Sequence, residues 1–234
     1  MGWREIDYPD RDAMADAVAE RLADAAEAGL RARGQAWLAL AGGGTPLPAY
    51  RRWSERHPPD ARVQLLPTDE RWVSATHDAC NLSQLRACFG EQPPPHLLPL
   101  VPNVADGEPD VAVAKRSLAG LSGRFDAVLL GMGADGHFAS LFPGAPELAA
   151  GLDLEGKSPA LVVHPDPLPP EAPFTRVSLS LPRLLSTQRL LLMVSGDAKR
   201  EVIRSAQRLP DPRRWPIAAL LHASDATVEI HWSP

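Results

Sequence analysis

Hydrophobic residues along the first quarter of the chain fall into two patterns that follow one another. Over residues 10–33 apolar side chains recur at helical spacing and end before Gly34, which predicts an opening amphipathic helix. Residues 36–41 are continuously apolar, as expected of a buried strand. A glycine turn and a helical stretch to about His57 follow, which is the order of a βα unit.

The same alternation continues to the end of the chain. Helices are predicted at residues 78–89, 110–121 and 197–208, and strands at residues 63–67, 125–130, 160–163, 176–179, 190–194 and 227–231. Apolar strands that alternate with helices predict a single doubly wound, mainly parallel sheet with helices on both faces. We therefore expect one Rossmann-like α/β domain over residues 1–234, with ligands bound at the carboxyl ends of its strands.

The first predicted βα turn reads Gly42-Gly43-Gly44-Thr45-Pro46. Three residues without Cβ allow backbone N–H groups to converge on an anion at a helix N-terminus, where the helix dipole also favours negative charge. The Gly-Lys-Ser/Thr of a Walker A loop is missing. A phosphate-binding turn is one interpretation, and a tight structural turn is the other.

Two further strand ends carry charged residues. Asp69-Glu70-Arg71 follows the strand at 63–67, where Arg71 could bind a phosphate in bidentate fashion or form a surface ion pair. Lys199 lies in the first turn of the helix at 197–208, an unfavourable place for a cation unless an anion lies there too. Arg176, on the strand at 176–179, could also approach such an anion.

The segment 131–144 contains a literal GxGxxG after a strand, which is typical of dinucleotide-binding sites. Pro143 and Gly144 interrupt the helix that such a site requires, so we favour a different interpretation. Asp135-Gly136-His137 places a carboxylate and an imidazole in one loop, and histidine titrates near neutral pH. His137 is therefore a candidate general base.

Composition narrows the function classes. The formal net charge is -5 and no basic tract tracks a nucleic-acid backbone, so no nucleic-acid partner is expected. No apolar stretch approaches the roughly 20 residues of a membrane span, and the N-terminus lacks a secretory core, which together predict a cytoplasmic protein without a membrane partner. Cys80 and Cys88 have neither metal-site nor disulfide spacing.

Taken together, these segments resemble the 6-phosphogluconolactonase family, which shares its fold with glucosamine-6-phosphate deaminase. The resemblance implies hydrolysis of 6-phospho-D-glucono-1,5-lactone to 6-phospho-D-gluconate, the second step of the oxidative pentose phosphate pathway. A δ-lactone is an activated ester, so no cofactor and no metal are expected. The resemblance makes His137 the general base with Asp135 nearby, and it assigns the substrate phosphate to Gly43, Gly44, Thr45, Arg71 and Lys199.

Other roles stay open at this point. Asp135 could orient His137 or hold a substrate hydroxyl, Asp69 could bind another hydroxyl, and amides of residues 131–136 are the expected oxyanion donors. The small-molecule sugar phosphate lactone is the expected partner, and we expect a monomer.

Two alternatives use the same fold. A glucosamine-6-phosphate deaminase usually carries Asn-Glu-Pro where this chain has Leu141-Phe142-Pro143, and a tyrosine where it has Arg71. A non-catalytic sugar-phosphate sensor of the kind found in transcriptional regulators would have an N-terminal helix-turn-helix, and the chain starts instead with the predicted helix at 10–33. Both comparisons favour the lactonase.

Overall fold

The computed structural model describes residues 2–90, 94–121, 123–170, 172–223 and 227–234. The strands in these ranges are β1 (Gly2–Asp7), β2 (Ala36–Leu40), β3 (Val63–Pro67), β4 (Asp69–Arg71), β5 (His96–Leu97), β6 (Phe125–Leu130), β7 (Ala160–Val163), β8 (Arg176–Leu179), β9 (Thr187–Ser195) and β10 (Thr227–Ser233). The helices are α1 (Arg11–Arg33), α2 (Leu47–Arg56), α3 (Asn81–Cys88), α4 (Ala112–Ala119), α5 (Leu148–Leu152), α6 (Leu181–Leu185), α7 (Asp197–Arg208) and α8 (Ile217–Leu221).

Seven strands form a parallel sheet in the order β1-β10-β9-β6-β2-β3-β5. Successive residues of β6 face opposite sides of this sheet. Ala127 and Leu129 pack with α1 and α2, whereas Val128 and Leu130 pack with α4, α7 and α8. Because helices cover both faces, every residue of β2 and β6 is buried. The predicted doubly wound α/β fold is confirmed.

The number of sheets differs from the prediction of a single sheet. β4, β8 and β7 form a separate antiparallel sheet of three strands. The chain between β7 and β8 is rich in proline and holds no helix in its described residues, and parallel neighbours need a long crossover, usually a helix. The two strands therefore pair in antiparallel fashion, and β8 places Arg176 opposite Arg71 of β4.

Several short or exposed elements were not predicted from the sequence. β1 is an edge strand that pairs only with β10, and Arg4 and Glu5 on it are exposed, so it lacks the apolar run of a buried strand. β5 has two residues, and α5, α6 and α8 have five residues each, which is too short for a helical period to be visible. No helix in the described ranges is both long and apolar enough to span a membrane.

His231 on β10 is a fully buried polar side chain. Its Nδ1 forms a hydrogen bond with the Tyr8 hydroxyl at 2.8 Å, and the two rings stack. Burial, and after it the charges of Arg21 and Arg4, lower the pKa of His231 to about 4. The unfolded chain binds this proton near pH 6.5. The free energy of unfolding must therefore decrease as the pH falls from about 6.5 to about 4.

The free energy of unfolding of the wild type should fall between pH 6.5 and 4, and in His231→Gln this fall should be smaller by about 3 kcal/mol. Above pH 6.5 neither state binds the proton, so the pH dependence there should not change. Urea unfolding of both proteins across this range measures the difference, with the exposed His96→Gln as control. An acid loss as steep in the His231 variant as in the wild type would contradict the assignment.

Candidate active site

The loops at the carboxyl ends of the parallel strands enclose a cavity of about 300 Å³. The chain contributes to it after β2, after β3, after β6 and after β9, and Arg176 at the start of β8 lines it as well. Of the residues predicted for the site, the cavity is lined by Gly43, Gly44, Thr45, Asp69, Arg71, His137 and Lys199. Asp135 is not part of the lining, but it contacts His137. The structure thus brings all the predicted site residues into one region.

The glycine loop presents unpaired amides to this cavity. Gly43 has a φ of 90°, a conformation that residues with a Cβ rarely adopt. Among the described residues the amides of Gly42, Gly44 and Thr45 have no hydrogen-bond acceptor, and that of Gly43 is 3.5 Å from Gln84 Oε1. α2 begins at Leu47, directly after the loop. Free amides in front of a helix N-terminus form a binding site for an anion such as phosphate.

His137 and Asp135 form a close pair at the edge of the cavity. His137 Nδ1 lies 2.6 Å from Asp135 Oδ1, and the same oxygen accepts the His137 backbone N–H at 3.1 Å. Burial opposes ionisation of Asp135, but the hydrogen bonds and charge of His137 outweigh it, so the pKa of Asp135 is lowered. An ionised carboxylate only accepts hydrogen bonds, so Nδ1 carries a proton, and in the neutral form of the imidazole Nε2 keeps its lone pair.

The surroundings of His137 restrict its ring. The ring of Phe142 lies 4.1 Å from the imidazole, centroid to centroid. A Cβ at Gly133 would lie 2.2 Å from the imidazole Nδ1 and Cε1, so only glycine leaves room there. On the far side of the loop, Gly136 has a φ of 78° and packs against Trp215. The loop therefore holds the imidazole in one orientation.

Two amides that were expected to stabilise an oxyanion already have partners. The Gly133 N–H donates to the carbonyl of His137 at 2.9 Å, and the Gly136 N–H donates to the carbonyl of Gly133 at 3.1 Å. These bonds shape the loop around His137. The prediction of oxyanion donors at residues 131–136 is therefore narrowed to the remaining amides of the segment.

Asp69 is a buried carboxylate in the wall of the cavity. Its Oδ2 accepts a hydrogen bond from the Ser140 hydroxyl, and its Oδ1 accepts one from Thr68 at 3.3 Å. Arg176 Nη1 lies 3.9 Å from Oδ2. The carboxylate is therefore fixed in place while it faces the cavity, as binding of a substrate hydroxyl requires.

Three cationic side chains surround the cavity: Arg71, Arg176 and Lys199. Burial is the main cause that lowers the pKa of Arg176, and the nearby Asp69 only partly offsets it. Burial, followed by the charge of Arg11, lowers the pKa of Lys199. The lowered pKa of each side chain means that negative charges of the protein do not fully offset the cost of burying its positive charge. A dianion in the cavity would supply that compensation.

Sequence reasoning identified Arg176 only as a possible contact, because its position depends on the antiparallel pairing of β8 with β4. It did not assign a role to Asn81, Ser140 or Phe142. Asn81 had a visible signal, since it follows Cys80 at the start of a predicted helix just after Asp-Glu-Arg. No comparable signal marks Ser140.

A second cavity of about 500 Å³ adjoins the first and shares Arg71, His137 and Arg176 with it. Its lining also includes the apolar side chains of Phe142 and Phe174. His137 thus lies where the two cavities meet. Within the described ranges, no three His, Cys, Asp or Glu side chains group together in a way that could hold a metal ion.

Comparison with known proteins places these features in context. Residues 9–232 match the family model described as glucosamine-6-phosphate isomerases/6-phosphogluconolactonase. The chain is 36% identical to a 6-phosphogluconolactonase of Caulobacter vibrioides, over 97% of this chain and 95% of that protein. It is 32% identical to a 6-phosphogluconolactonase of Pseudomonas putida, over 100% of this chain and 98% of that protein.

A solved structure is similar over the same length. The crystal structure of a 6-phosphogluconolactonase from Shewanella baltica superposes with a TM-score of 0.87 at 29% identity, covering 99% of this chain and 98% of that one. Fold and sequence therefore agree on the same group of proteins.

Proposed function

Since the chain belongs to the glucosamine-6-phosphate isomerase/6-phosphogluconolactonase family, we propose that it hydrolyses 6-phosphogluconolactone to 6-phosphogluconate. One observation supports this activity above all others. His137, whose Nδ1 is paired with Asp135, lines the same cavity as a glycine loop and three cations. This arrangement suits a substrate with a phosphate at one end and an electrophilic carbonyl at the other.

His137 acts as the general base in the proposed mechanism. Its Nε2 removes a proton from a water molecule while the water oxygen attacks the lactone carbonyl carbon. The carbonyl becomes an oxyanion, and the bond from this carbon to the ring oxygen then breaks. The ring oxygen leaves with the proton held by Nε2, so one water is added and His137 returns to its neutral form. Asp135 keeps the proton on Nδ1 and stabilises the transient imidazolium.

The phosphate fixes the orientation of the substrate. It carries about -1.5 to -2 charges near neutral pH and so matches the amides of Gly44 and Thr45 and the cations Arg71, Arg176 and Lys199. Asp69 binds a sugar hydroxyl. Binding energy at the remote phosphate becomes useful for the reaction only when it holds the carbonyl beside Nε2. A cytoplasmic, monomeric enzyme remains our prediction.

Arg71→Ala and Lys199→Ala are each expected to raise KM by about 10- to 100-fold and to leave kcat within a few-fold of wild type. The reason is that each variant loses charge-assisted contacts of about 1.5–3 kcal/mol that ground state and transition state share. Steady-state kinetics measures both constants. The exposed Arg86→Ala and Lys115→Ala are matched controls that should keep the wild-type KM. A loss in kcat with KM unchanged would remove the phosphate assignment.

The substrate itself is tested with three compounds. We expect hydrolysis of 6-phosphogluconolactone at a much higher kcat/KM than gluconolactone, which lacks the phosphate, and no ammonia from glucosamine 6-phosphate. Phe142 favours this outcome, since a deaminase usually carries a glutamate at that position. Release of ammonia without lactone hydrolysis would overturn the proposal in favour of deamination.

A further inference from the structure

Asn81, the first residue of α3, joins three segments of the phosphate-binding region. It is buried, with 1% of its surface exposed. Its Nδ2 donates to the backbone carbonyl of Asp69 at 2.7 Å, and its Oδ1 accepts a hydrogen bond from Arg71 Nη1 at 2.8 Å. The glycine loop packs on the same amide, because a Cβ at Gly42 would lie 2.0 Å from Asn81 Oδ1. One side chain thus contacts both β4 and the glycine loop.

The contact with Arg71 determines which part of its guanidinium is free. Nη1 carries two hydrogens, and they are taken by Asn81 Oδ1 and by the carbonyl of Ala79 at 2.7 Å. Nε is buried and has no partner among the described residues. Nη2 has no partner among the described residues and is not buried, so it is the guanidinium nitrogen left to meet a ligand in the cavity. Its two hydrogens can form charge-assisted hydrogen bonds to phosphate oxygens.

Asn81 is itself held by a buried acid. Glu70 accepts the backbone N–H of Asn81 at 2.8 Å and that of Leu82 at 2.8 Å, and it is only 1% exposed. α3 has no hydrogen bond from a side chain at its own N-cap, so Glu70 of β4 supplies its N-terminal cap instead. Because α3 and β4 are joined in this way, the amide of Asn81 has a fixed position relative to Arg71.

We infer that Asn81 is a positioning residue for the substrate phosphate. It acts through Arg71: it holds Nη1 so that Nη2 is preorganised for the phosphate oxygens, and it sets the distance between Arg71 and the glycine loop. This inference rests on the proposed function, in which Arg71 binds the phosphate. Oδ1 and Nδ2 of Asn81 both bond to the protein, and the inference assigns Asn81 this positioning role and not a contact with the substrate.

A double-mutant cycle tests the inference. Asn81→Ala is expected to raise KM about tenfold with kcat nearly unchanged, since Arg71 loses a charge-assisted partner and its fixed orientation. Arg71→Ala should raise KM at least as much. The double variant should have the KM of Arg71→Ala alone, because without the guanidinium Asn81 has nothing to position. Asn81→Ser, whose hydroxyl is too short to reach Arg71, should behave like Asn81→Ala and serves if the alanine variant fails to fold.

Calorimetric titration with 6-phosphogluconate gives the same comparison without turnover. Thr187 is buried at the amino-terminal end of β9, away from the cavity. Thr187→Val removes its hydrogen bond to the carbonyl of Arg189 and is the matched control for a loss of stability alone. Effects of Asn81 and Arg71 that multiply in the double variant would overturn the inference, as would an unchanged affinity in both Asn81 variants. If the wild type neither binds 6-phosphogluconate nor hydrolyses the lactone, the proposed function fails first and the inference fails with it.

Discussion

His137→Ala is expected to lower kcat for 6-phosphogluconolactone by about 10²- to 10⁴-fold, with little change in KM. Nε2 of His137 is the only atom to which we assign the proton from water, and the phosphate contacts lie elsewhere in the cavity. The residual rate should come from the polarised carbonyl and from bound water, and it should stay above the spontaneous rate. Rapid assays against a buffer blank are needed, because the lactone also hydrolyses unaided.

A second histidine provides the control for this experiment. His164 Nδ1 lies 2.7 Å from Glu147 Oε1, which repeats the histidine–carboxylate geometry outside the lining of either cavity at the site. His164→Ala removes an equivalent pair and should keep the wild-type kcat. A wild-type kcat in His137→Ala would eliminate His137 as the base, and equal losses in both variants would indicate a general effect on the fold.

Gly133→Ala is expected to reduce kcat by about 10²-fold or more while the protein remains folded. The added methyl group would lie 2.2 Å from the imidazole and 2.6 Å from Asp135 Oδ1, so the ring must turn away and the pair must separate. Losing the orientation of a base removes most of its contribution, which is about 10²- to 10⁴-fold. Gly133 does not have a positive φ, so the backbone itself tolerates alanine.

Kinetics and thermal unfolding distinguish a misoriented His137 from a destabilised fold in Gly133→Ala. The melting temperature should change little, because a side chain at the cavity edge moves and not the core. Gly120→Ala is the matched control, since a Cβ there meets open space and its φ is -77°. A wild-type kcat in Gly133→Ala would show that the orientation of His137 does not limit catalysis.

The sequence predicted those parts of the site that depend on local pattern. Parallel strands place the loops that follow them at one edge of the sheet, so Gly44, Arg71, His137 and Lys199 were expected together. The structure brings them to one cavity. A strand, a glycine turn and a helix are encoded by neighbouring residues, which is why this level of prediction succeeds.

The remaining parts depend on contacts between distant residues. Arg176 reaches the cavity because β8 pairs with β4 in a second sheet, and strand register over such a separation leaves no mark on local composition. The position of Asn81 is set by the N-terminal cap that Glu70 of β4 provides to α3. The sequence predicted that the amides of Gly133 and Gly136 could serve as oxyanion donors, but in the structure both donate to backbone carbonyls of the same loop.

The most direct test of the account is the time course of the lactone itself. Glucose-6-phosphate dehydrogenase generates 6-phosphogluconolactone in place, and ³¹P or ¹³C NMR follows its disappearance with and without this protein. We predict that the lactone decays faster with the protein, in proportion to its concentration, and that 6-phosphogluconate forms in equal amount. Decay at the spontaneous rate at every protein concentration would contradict the account.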